Sequence, residues 1–238
     1  MKSALLCVVL ALALAGCGGG DDDALVVYAA ASLTEVFEQL APEARFNFAG
    51  SDELATQLRE GADADLYAAA SPRYPRELAA EGVVERPVVF ATNRLVAVVP
   101  RDNPAAIHAL ADVARPGVRL VIGGEGVPVG DYTRELLAKV GRTDVLERVV
   151  SEEEDVKGVL GKVRLGEADA GFVYATDARA ASGDVAVIEL PAAVQVPIEY
   201  PVALVRGTKR TDTARAFVSL LQSTRGRAEL RAAGFGVP

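Results

Sequence analysis

The sequence predicts an α/β protein whose strands form a mainly parallel sheet, and three observations lead to this class. Half of the 238 residues are hydrophobic, which provides for a sizeable buried core and argues against disorder in the bulk of the chain. Short apolar runs alternate along the chain with segments in which apolar residues recur every three or four positions. Such alternation of strands and helices is typical of parallel sheets, because each helix carries the chain back to the same end of the sheet.

The first strand–helix units lie near the N-terminus. Ser32 and Glu35 have the spacing of a capping box, and Pro42 ends the helix that Ser32 begins. A second helix starts at Ser51 and stops at Gly61, a typical C-terminal glycine. The predicted strands of this part are 25–30, 45–48 and 65–70.

The rest of the chain continues the alternation. The predicted strands are 94–99, 119–122, 170–174, 185–188 and 200–205, and the predicted helices are 112–115, 132–140, 151–165, 211–221 and 224–232. No internal repeat and no flexible linker is evident after residue 23. If the chain forms two lobes, it therefore crosses between them without a flexible connection.

The N-terminus has the features of a lipoprotein signal. Lys2 precedes an apolar run over 4–15, which is too short to span a bilayer as a stable helix. The run ends at Leu14-Ala15-Gly16-Cys17, which resembles the lipobox of bacterial lipoproteins. We therefore expect a signal peptide at 1–16, a lipid on Cys17, a solvated tether at 17–23 and an extracytoplasmic protein anchored to the cell membrane. The alternative is an ordinary signal peptide with a chance cysteine.

The cysteine and histidine content and the net charge argue against several kinds of functional site. Export would remove Cys7 and lipidate Cys17, so no thiol would be left for a disulfide, a metal site or a nucleophile. His108 is the only histidine, which argues against a transition-metal site and against a serine–histidine catalytic mechanism. The net charge of −8 argues against a nucleic-acid partner, yet it is compatible with a local anion site. We expect no cofactor and no enzymatic activity.

Four residues lie at or near the predicted start of a helix: Ser32, Ser51, Val129 and Val156. The first turn of a helix has unpaired N–H groups and the positive end of the helix dipole. Several helix starts aimed at one point therefore bind an anion without any cation, and a serine adds a hydroxyl donor. Each serine taken alone is more simply explained as an N-cap, so this hypothesis depends on the combination.

A series of motifs makes the chain recognisable. It resembles the molybdate-binding proteins of ABC importers over essentially its whole length after the tether. The matching segments, in order, are Tyr28–Thr34, Phe48–Ser51 with Leu54 and Ala55, Gly61–Tyr67, Val127–Tyr132, Glu154–Gly158, Gly171–Ala178 and Glu199–Val202. Each motif is weak by itself, whereas the ordered series is fairly specific.

The resemblance implies a type II periplasmic-binding fold, in which two α/β lobes enclose a ligand cleft. It places the first lobe at 24–95 and 203–238 and the second at 96–202. It also implies a monomer that captures molybdate or tungstate and delivers it to an ABC permease and its ATPase complex. We expect the membrane to be contacted only through the lipid anchor. The alternatives are a protein that binds another oxyanion such as sulfate or phosphate, an exported enzyme, or a lipoprotein with a structural or sensory role.

The resemblance further implies a set of ligand-binding residues. Ser32 and Ser51 would each donate a hydroxyl and a main-chain N–H from the first lobe. Val129 and Val156 would donate main-chain N–H groups from the second lobe, and Tyr174 would donate its phenolic hydroxyl. No residue would coordinate molybdenum directly, because the metal arrives as its oxyanion.

Two acidic features depart from the family's pattern. Asp52 follows Ser51 where a neutral residue is common, and the run Glu152–Asp155 comes just before Val156. A carboxylate close to a bound oxyanion would repel it by about 1 kcal/mol even in water. We expect these side chains to point away from the ligand and to interact with the starts of their own helices.

Overall fold

A computed structural model describes residues 24–238 of the chain. The predicted signal peptide, Cys17 and the tether lie outside the described residues. The strands are β1 (Val26–Ala30), β2 (Arg45–Ala49), β3 (Leu66–Ala68), β4 (Val88–Asn93), β5 (Leu95–Pro100), β6 (Leu120–Gly123), β7 (Val149–Glu153), β8 (Ala170–Tyr174), β9 (Val185–Ile188) and β10 (Ile198–Leu204).

Helices follow most of these strands. They are α1 (Thr34–Leu40), α2 (Ser51–Arg59), α3 (Arg73–Ala80), α4 (Leu110–Val113), α5 (Pro128–Lys139), α6 (Val156–Arg164), α7 (Ala175–Ala180), α8 (Thr211–Gln222) and α9 (Thr224–Ala233). Short 3₁₀ turns occupy Ala31–Leu33, Thr143–Arg148 and Ala192–Val194.

The strands form two five-stranded sheets, with the orders β2-β1-β3-β10-β4 and β7-β6-β8-β5-β9. In the first sheet β1, β2 and β3 are parallel, and β10 runs antiparallel to both of its neighbours. In the second sheet β6, β7 and β8 are parallel, and β5 runs antiparallel to β8 and β9. Each sheet therefore has one reversed strand, which confirms the predicted α/β class with mainly parallel sheets.

Two lobes result from this topology, and we name each lobe after its sheet. The chain leaves the first sheet at β4, enters the second at β5 after the single residue Arg94, and returns with β10. The reversed strand in each sheet is thus the one that follows a crossing. All of β10 pairs within the first sheet. The lobe limits at 95/96 and 202/203 stay a prediction.

The apolar core is continuous through both lobes. One cluster of buried side chains includes Leu33 and Phe37 of the first lobe and Val96, Leu120 and Phe172 of the second. Burial of apolar surface of this kind contributes roughly 25 cal/mol per Å². The two sheets are therefore joined by a shared apolar core as well as by the chain crossings.

Several predicted helix starts differ from the structure. α4 begins at Leu110, two residues before the predicted start at 112, and α5 begins at Pro128, four residues before the predicted start at 132. The predicted capping box at Ser32 is wrong, because Ser32 lies inside a 3₁₀ turn and its side chain caps no helix. The predicted helix at 151–165 begins only at Val156, since the preceding acidic segment belongs to β7. This edge strand alternates between exposed and half-buried residues and lacks the apolar run by which buried strands are recognised.

Besides β7 and the 3₁₀ turns, three elements have no counterpart among the predictions: α3, β4 and α7. α7 follows β8 without an intervening residue, so no loop residue marks its start. β4 is half exposed at its beginning and is stabilised by its long-range pairing with β10. Tertiary pairing has overridden local propensity at β4.

Candidate anion-binding cleft

A small cavity lies between the two lobes, at the carboxyl ends of the parallel strands. This is the edge at which open α/β sheets bind ligands. The structure brings all five predicted residues, Ser32, Ser51, Val129, Val156 and Tyr174, to this one cavity, whose volume is about 220 Å³ including its mouth. The other lining residues are Ala30, Ala31, Ala49, Gly50, Ala70, Val127, Pro128 and Asp155.

Ser51 stands at the junction of β2 and α2 and is 1% exposed. Its hydroxyl oxygen accepts the main-chain N–H of Ala70 at 3.1 Å, and its carbonyl accepts the hydroxyl of Tyr67 at 2.6 Å. Because the hydroxyl oxygen already accepts a hydrogen bond, its own proton remains available to a guest in the cavity. The surroundings of Ser51 thus orient it as a donor.

Ser32 follows β1 and is also buried. Its hydroxyl oxygen lies 2.9 Å from the hydroxyl oxygen of Tyr200, a residue of β10 that is 168 positions away in the sequence. Tyr200 does not itself line the cavity. Ser32 is therefore held from behind by a residue that cannot reach the guest.

Val129 and Val156 contribute through their main chains. Val129 is the second residue of α5, after Pro128, which has no N–H to offer. Val156 is the first residue of α6, after its N-cap Asp155. The N–H groups of a first helical turn have no carbonyl partner within the helix, so both are free to donate to the cavity.

Tyr174 ends β8 and is 2% exposed. Its hydroxyl has no hydrogen-bond partner among the described residues. Burial raises the pKa of this phenol well above its ordinary value, so it remains protonated and can only donate or accept as a neutral hydroxyl. A buried polar group without a partner is uncommon and points to a ligand that completes it.

The charge around the cavity is low. Among the described residues that line it, none is a lysine or arginine and only Asp155 is acidic. The Asp155 carboxylate accepts the main-chain N–H of Gly158 at 2.8 Å and so caps α6. Glu152 pairs with Arg134 at 2.6 Å on the exposed side of β7. The donors in the cavity are therefore neutral hydroxyls and main-chain groups.

Asp52 is not among the lining residues, although it lies near the cleft in the first turn of α2. Its Oδ1 is buried without a hydrogen-bond partner among the described residues. Burial is the main cause that raises the pKa of this carboxyl, with main-chain hydrogen bonds opposing it. The departure from the family's pattern at this position thus adds no charged residue to the cavity lining.

The lobes meet on both sides of the cavity. On one side Lys157 Nζ lies 2.5 Å from Glu35 Oε1 of α1. On the other side Arg73 of α3 lies 3.5 Å from Asp131 of α5. Between them the approach is close at Gly50, where an added Cβ would lie 2.5 Å from the carbonyl oxygen of Glu154. These contacts hold the lobes in a closed arrangement.

Other kinds of site receive no support from residues 24–238. This part of the chain contains no group of three or more His, Cys, Asp or Glu side chains that could hold a metal ion. His108 is exposed and does not line the cavity. None of the helices described is long and apolar enough to cross a membrane.

Some residues that build the site escape sequence analysis. Tyr67, Asn93 and Tyr200 have no role predicted for them, yet they hold or surround the two serines. Tyr200 belongs to the Glu199–Val202 motif, which is the one signal that marks it. The small residues beside the serines form the walls of the cavity, and their lack of bulk leaves room for a guest.

A cavity of converging donors between two α/β lobes defines a two-lobed solute-binding protein. The chain belongs to the family of bacterial extracellular solute-binding proteins, whose sequence profile matches residues 25–236. Such proteins work outside the cytoplasm, which agrees with the location predicted from the sequence.

The chain is also similar to individual proteins that are named for molybdate binding. The chain is 38% identical to the molybdate-binding protein ModA of Mycobacterium tuberculosis over 224 residues, which cover 90% of this chain and 85% of that protein. It is 32% identical to ModA of Escherichia coli, with 96% and 95% covered. Its fold matches the periplasmic molybdate-binding protein of Azotobacter vinelandii with a TM-score of 0.81 at 22% identity, over 90% of this chain and 99% of that one.

Proposed function

We propose that this protein captures molybdate or tungstate outside the cytoplasm and delivers it to an ABC permease with its ATPase. The observation that carries the proposal is the convergence of neutral donors from both lobes on one cavity, where the buried Tyr174 hydroxyl has no partner among the described residues. A small dianion that accepts hydrogen bonds on every side would complete this set. The similarity to two molybdate-binding proteins supports the choice of ligand.

The energetics of capture depend on closure. Hydrogen bonds to a charged group contribute roughly 1.5–3 kcal/mol each, so the hydroxyl and N–H donors of Ser32, Ser51, Val129, Val156 and Tyr174 together offset a large desolvation cost. Sub-micromolar affinity needs a net free energy beyond about −8 kcal/mol. Because the donors belong to both lobes, the ligand stabilises the closed arrangement, which the permease would then recognise.

Selection among anions would follow size and protonation. Sulfate has the same charge as molybdate and also only accepts, but its shorter bonds would leave some donors out of reach. Hydrogen phosphate carries a proton that needs an acceptor. The one carboxylate of the lining, Asp155, already accepts the main-chain N–H of Gly158, so the lining offers chiefly donors. We therefore expect sulfate to compete with molybdate for the cavity more effectively than phosphate does.

The N-terminal segment would anchor the protein to the cell membrane. Cys17 would carry a lipid after removal of residues 1–16, and residues 17–23 would hold the protein, as a monomer, near the membrane. Catalysis is not part of the proposal, because neither serine in the cavity has a histidine base. Partition of the full-length protein into a detergent phase, and its loss in Cys17→Ser, tests the anchor.

Thermal unfolding with a panel of anions tests the ligand. Molybdate and tungstate are expected to raise the melting temperature, since a ligand that binds only the folded state stabilises it. Sulfate and phosphate at the same concentration are expected to raise it far less. Equal shifts with molybdate and sulfate would contradict the size argument, and the absence of any shift with all four anions would contradict the proposed function.

Tyr174→Phe tests the site itself. The change removes one hydroxyl and keeps the ring, so molybdate affinity measured by calorimetry is expected to fall by about 1.5–3 kcal/mol, which is roughly 10- to 150-fold. Tyr28→Phe is the matched control, because Tyr28 lies in β1 of the first lobe and does not line the cavity. An equal affinity for Tyr174→Phe and the wild type would remove Tyr174 from the ligand-binding set.

A further inference from the structure

We infer that Tyr200 is a positioning residue, which is oriented by Asn93 and commits the hydroxyl of Ser32 to donating to the bound anion. This inference rests on the proposed function, because it concerns the same cavity. It adds a chain of hydrogen bonds behind the ligand-binding residues, and this chain sets the direction in which one of them acts.

The hydroxyl of Tyr200 is buried and lies next to the hydroxyl of Ser32. Tyr200 is 0% exposed, and its hydroxyl oxygen lies 2.9 Å from Ser32 Oγ. Burial raises the pKa of Tyr200 well above its ordinary value, so its hydroxyl keeps its proton. Either oxygen of this pair could donate to the other by distance alone. The direction of the bond is decided by the groups around Tyr200.

Asn93 supplies the decisive contacts. Its Oδ1 accepts the main-chain N–H of Arg94 at 2.9 Å, which orients the amide so that Nδ2 faces the other way. Nδ2 then donates to Thr176 Oγ1 at 3.0 Å and to the Tyr200 hydroxyl at 3.4 Å. An amide nitrogen can only donate, so the Tyr200 oxygen is the acceptor in this contact.

The direction of the remaining bonds follows. The Tyr200 hydroxyl contacts Ser32 Oγ and Asn93 Nδ2 among the described residues, and the amide nitrogen cannot accept a hydrogen bond. The buried Tyr200 proton is therefore directed to Ser32 Oγ. Ser32 Oγ has then accepted a bond from Tyr200, and its single proton is left for the cavity that Ser32 lines. The sequence of donation is Asn93 to Tyr200 to Ser32 to the anion. Chains of this kind also polarise each member and strengthen the last donor.

Packing keeps Tyr200 in this orientation. Its ring makes edge contacts with Tyr174, at 5.8 Å between ring centres, and with Phe235, at 5.3 Å. Asn93 ends β4 at the crossing between the lobes, and its partner Thr176 belongs to α7 of the second lobe. The hydrogen bonds therefore link the direction of the Ser32 hydroxyl to the contact between the lobes.

A double-mutant cycle with Tyr200→Phe and Ser32→Ala tests the inference, with molybdate affinity measured by calorimetry. Tyr200→Phe keeps the ring and its packing, and is expected to weaken binding roughly 3- to 10-fold, as for the loss of one neutral hydrogen bond. In the Ser32→Ala background the same change is expected to weaken binding less than about twofold, because the group that it positions is gone. A merely structural role of Tyr200 would cost the same in both backgrounds.

Asn93→Ala provides a second route to the same answer, should Tyr200→Phe fail to fold. It removes the amide that sets the direction, and its effect on affinity is also expected to depend on the presence of the Ser32 hydroxyl. Losses that are equal with and without Ser32, or wild-type affinity in both single variants, would overturn the inference alone. A wild-type protein that binds no molybdate or tungstate would overturn the proposed function and the inference with it.

Discussion

At the residue scale, the carboxyl of Asp177 in α7 is buried but does not line the cavity. Both oxygens of Asp177 are buried without a hydrogen-bond partner among the described residues, and its nearest cation is Lys157 Nζ at 3.6 Å. Burial raises the pKa of Asp177 from 3.8 to about 7, against the opposing attraction of Lys157, and the charge of Glu35 raises it further. Asp177 therefore exchanges a proton near neutral pH.

Stability is expected to depend on pH because of Asp177. Its folded pKa lies above its unfolded pKa, so the folded chain binds the extra proton between about pH 4 and 7. The resulting stability is present at low pH and is lost as pH rises towards 7. Between pH 5 and 7 the wild type should lose about 2 kcal/mol of unfolding free energy that Asp177→Asn retains.

Urea unfolding at a series of pH values measures this difference. Asp184→Asn is the control, because Asp184 is half exposed and pairs with Arg164 at 2.6 Å in the same lobe. The Asp184→Asn curve should follow the wild type across the whole range. Parallel curves for the wild type and Asp177→Asn would mean that Asp177 does not titrate in this interval.

At the scale of elements, the site depends on the places where strands turn into helices. β2 leads into α2 with only Gly50 between them, and β7 leads into α6 through Glu154 and Asp155. The first-turn N–H groups of α5 and α6 lie at the cavity. These main-chain donors can stabilise an anion in the way that a cationic side chain does in other anion sites. Side-chain substitutions leave such donors intact, and proline is the change that removes one.

Val156→Pro tests the main-chain donor of α6. Proline is well accepted at the first position of a helix, and Asp155 already has the extended conformation that a following proline requires, with φ −154° and ψ 178°. The helix should therefore persist, while molybdate affinity falls by about 1.5–3 kcal/mol with the loss of one N–H. Calorimetry and far-ultraviolet circular dichroism measure the two effects.

Thr224→Pro is the matched control for this change. Thr224 is the first residue of α9, it is exposed, and its N-cap Ser223 is also extended, with φ −71° and ψ 165°. Since α9 does not line the cavity, affinity should be unchanged in this variant. Wild-type affinity in Val156→Pro with an intact helix would show that the N–H of residue 156 does not bind the ligand.

At the scale of the whole molecule, binding is coupled to the contact between the lobes. Lys157 joins α6 to Glu35 of α1 on one side of the cavity, and Arg73 and Asp131 join α3 to α5 on the other. The Tyr74 hydroxyl also donates to the carbonyl of Gly126 across the same gap. These contacts need no ligand, so they contribute to the closed arrangement before an anion arrives.

Glu35→Gln is expected to shift the empty protein towards open forms. It breaks the pair across the cleft and leaves Lys157 beside Asp177. Because exposed pairs contribute only about 0.2–1 kcal/mol, molybdate affinity should fall roughly 1.4- to 5-fold. Small-angle scattering should show a larger radius of gyration for the empty variant than for the empty wild type, and equal radii once both are saturated with molybdate.

Glu167→Gln is the control for the lost charge. Glu167 is 50% exposed, compared with 56% for Glu35, and it pairs with Lys162 inside the second lobe at 2.6 Å. It should leave both the radius and the affinity as in the wild type. If Glu35→Gln and Glu167→Gln behave alike, the contact between Lys157 and Glu35 does not favour closure.

Much of this protein is determined by the sequence alone, because the signals are local. Apolar periodicity predicts most of the strands and helices, and helix-start chemistry with the ordered motifs predicts five residues that the structure brings to one cavity. Two of the misplaced helix starts, at 32 and 151, lie where local polarity resembles a helix cap or an exposed helix surface. At these places the structure has a 3₁₀ turn after β1 and the pairing of β7 with β6 in place of the predicted helix starts.

Only the tertiary structure decides how the donors are directed and how the lobes meet. The reversal of β5 and β10, the pairing of Tyr200 with Ser32 and the link from Lys157 to Glu35 join residues far apart in the sequence. Local patterns reflect the preferences of each short segment, whereas the direction of a hydrogen bond depends on every group that surrounds it. Chain folding supplies those groups from distant positions, so no single stretch of sequence contains the information.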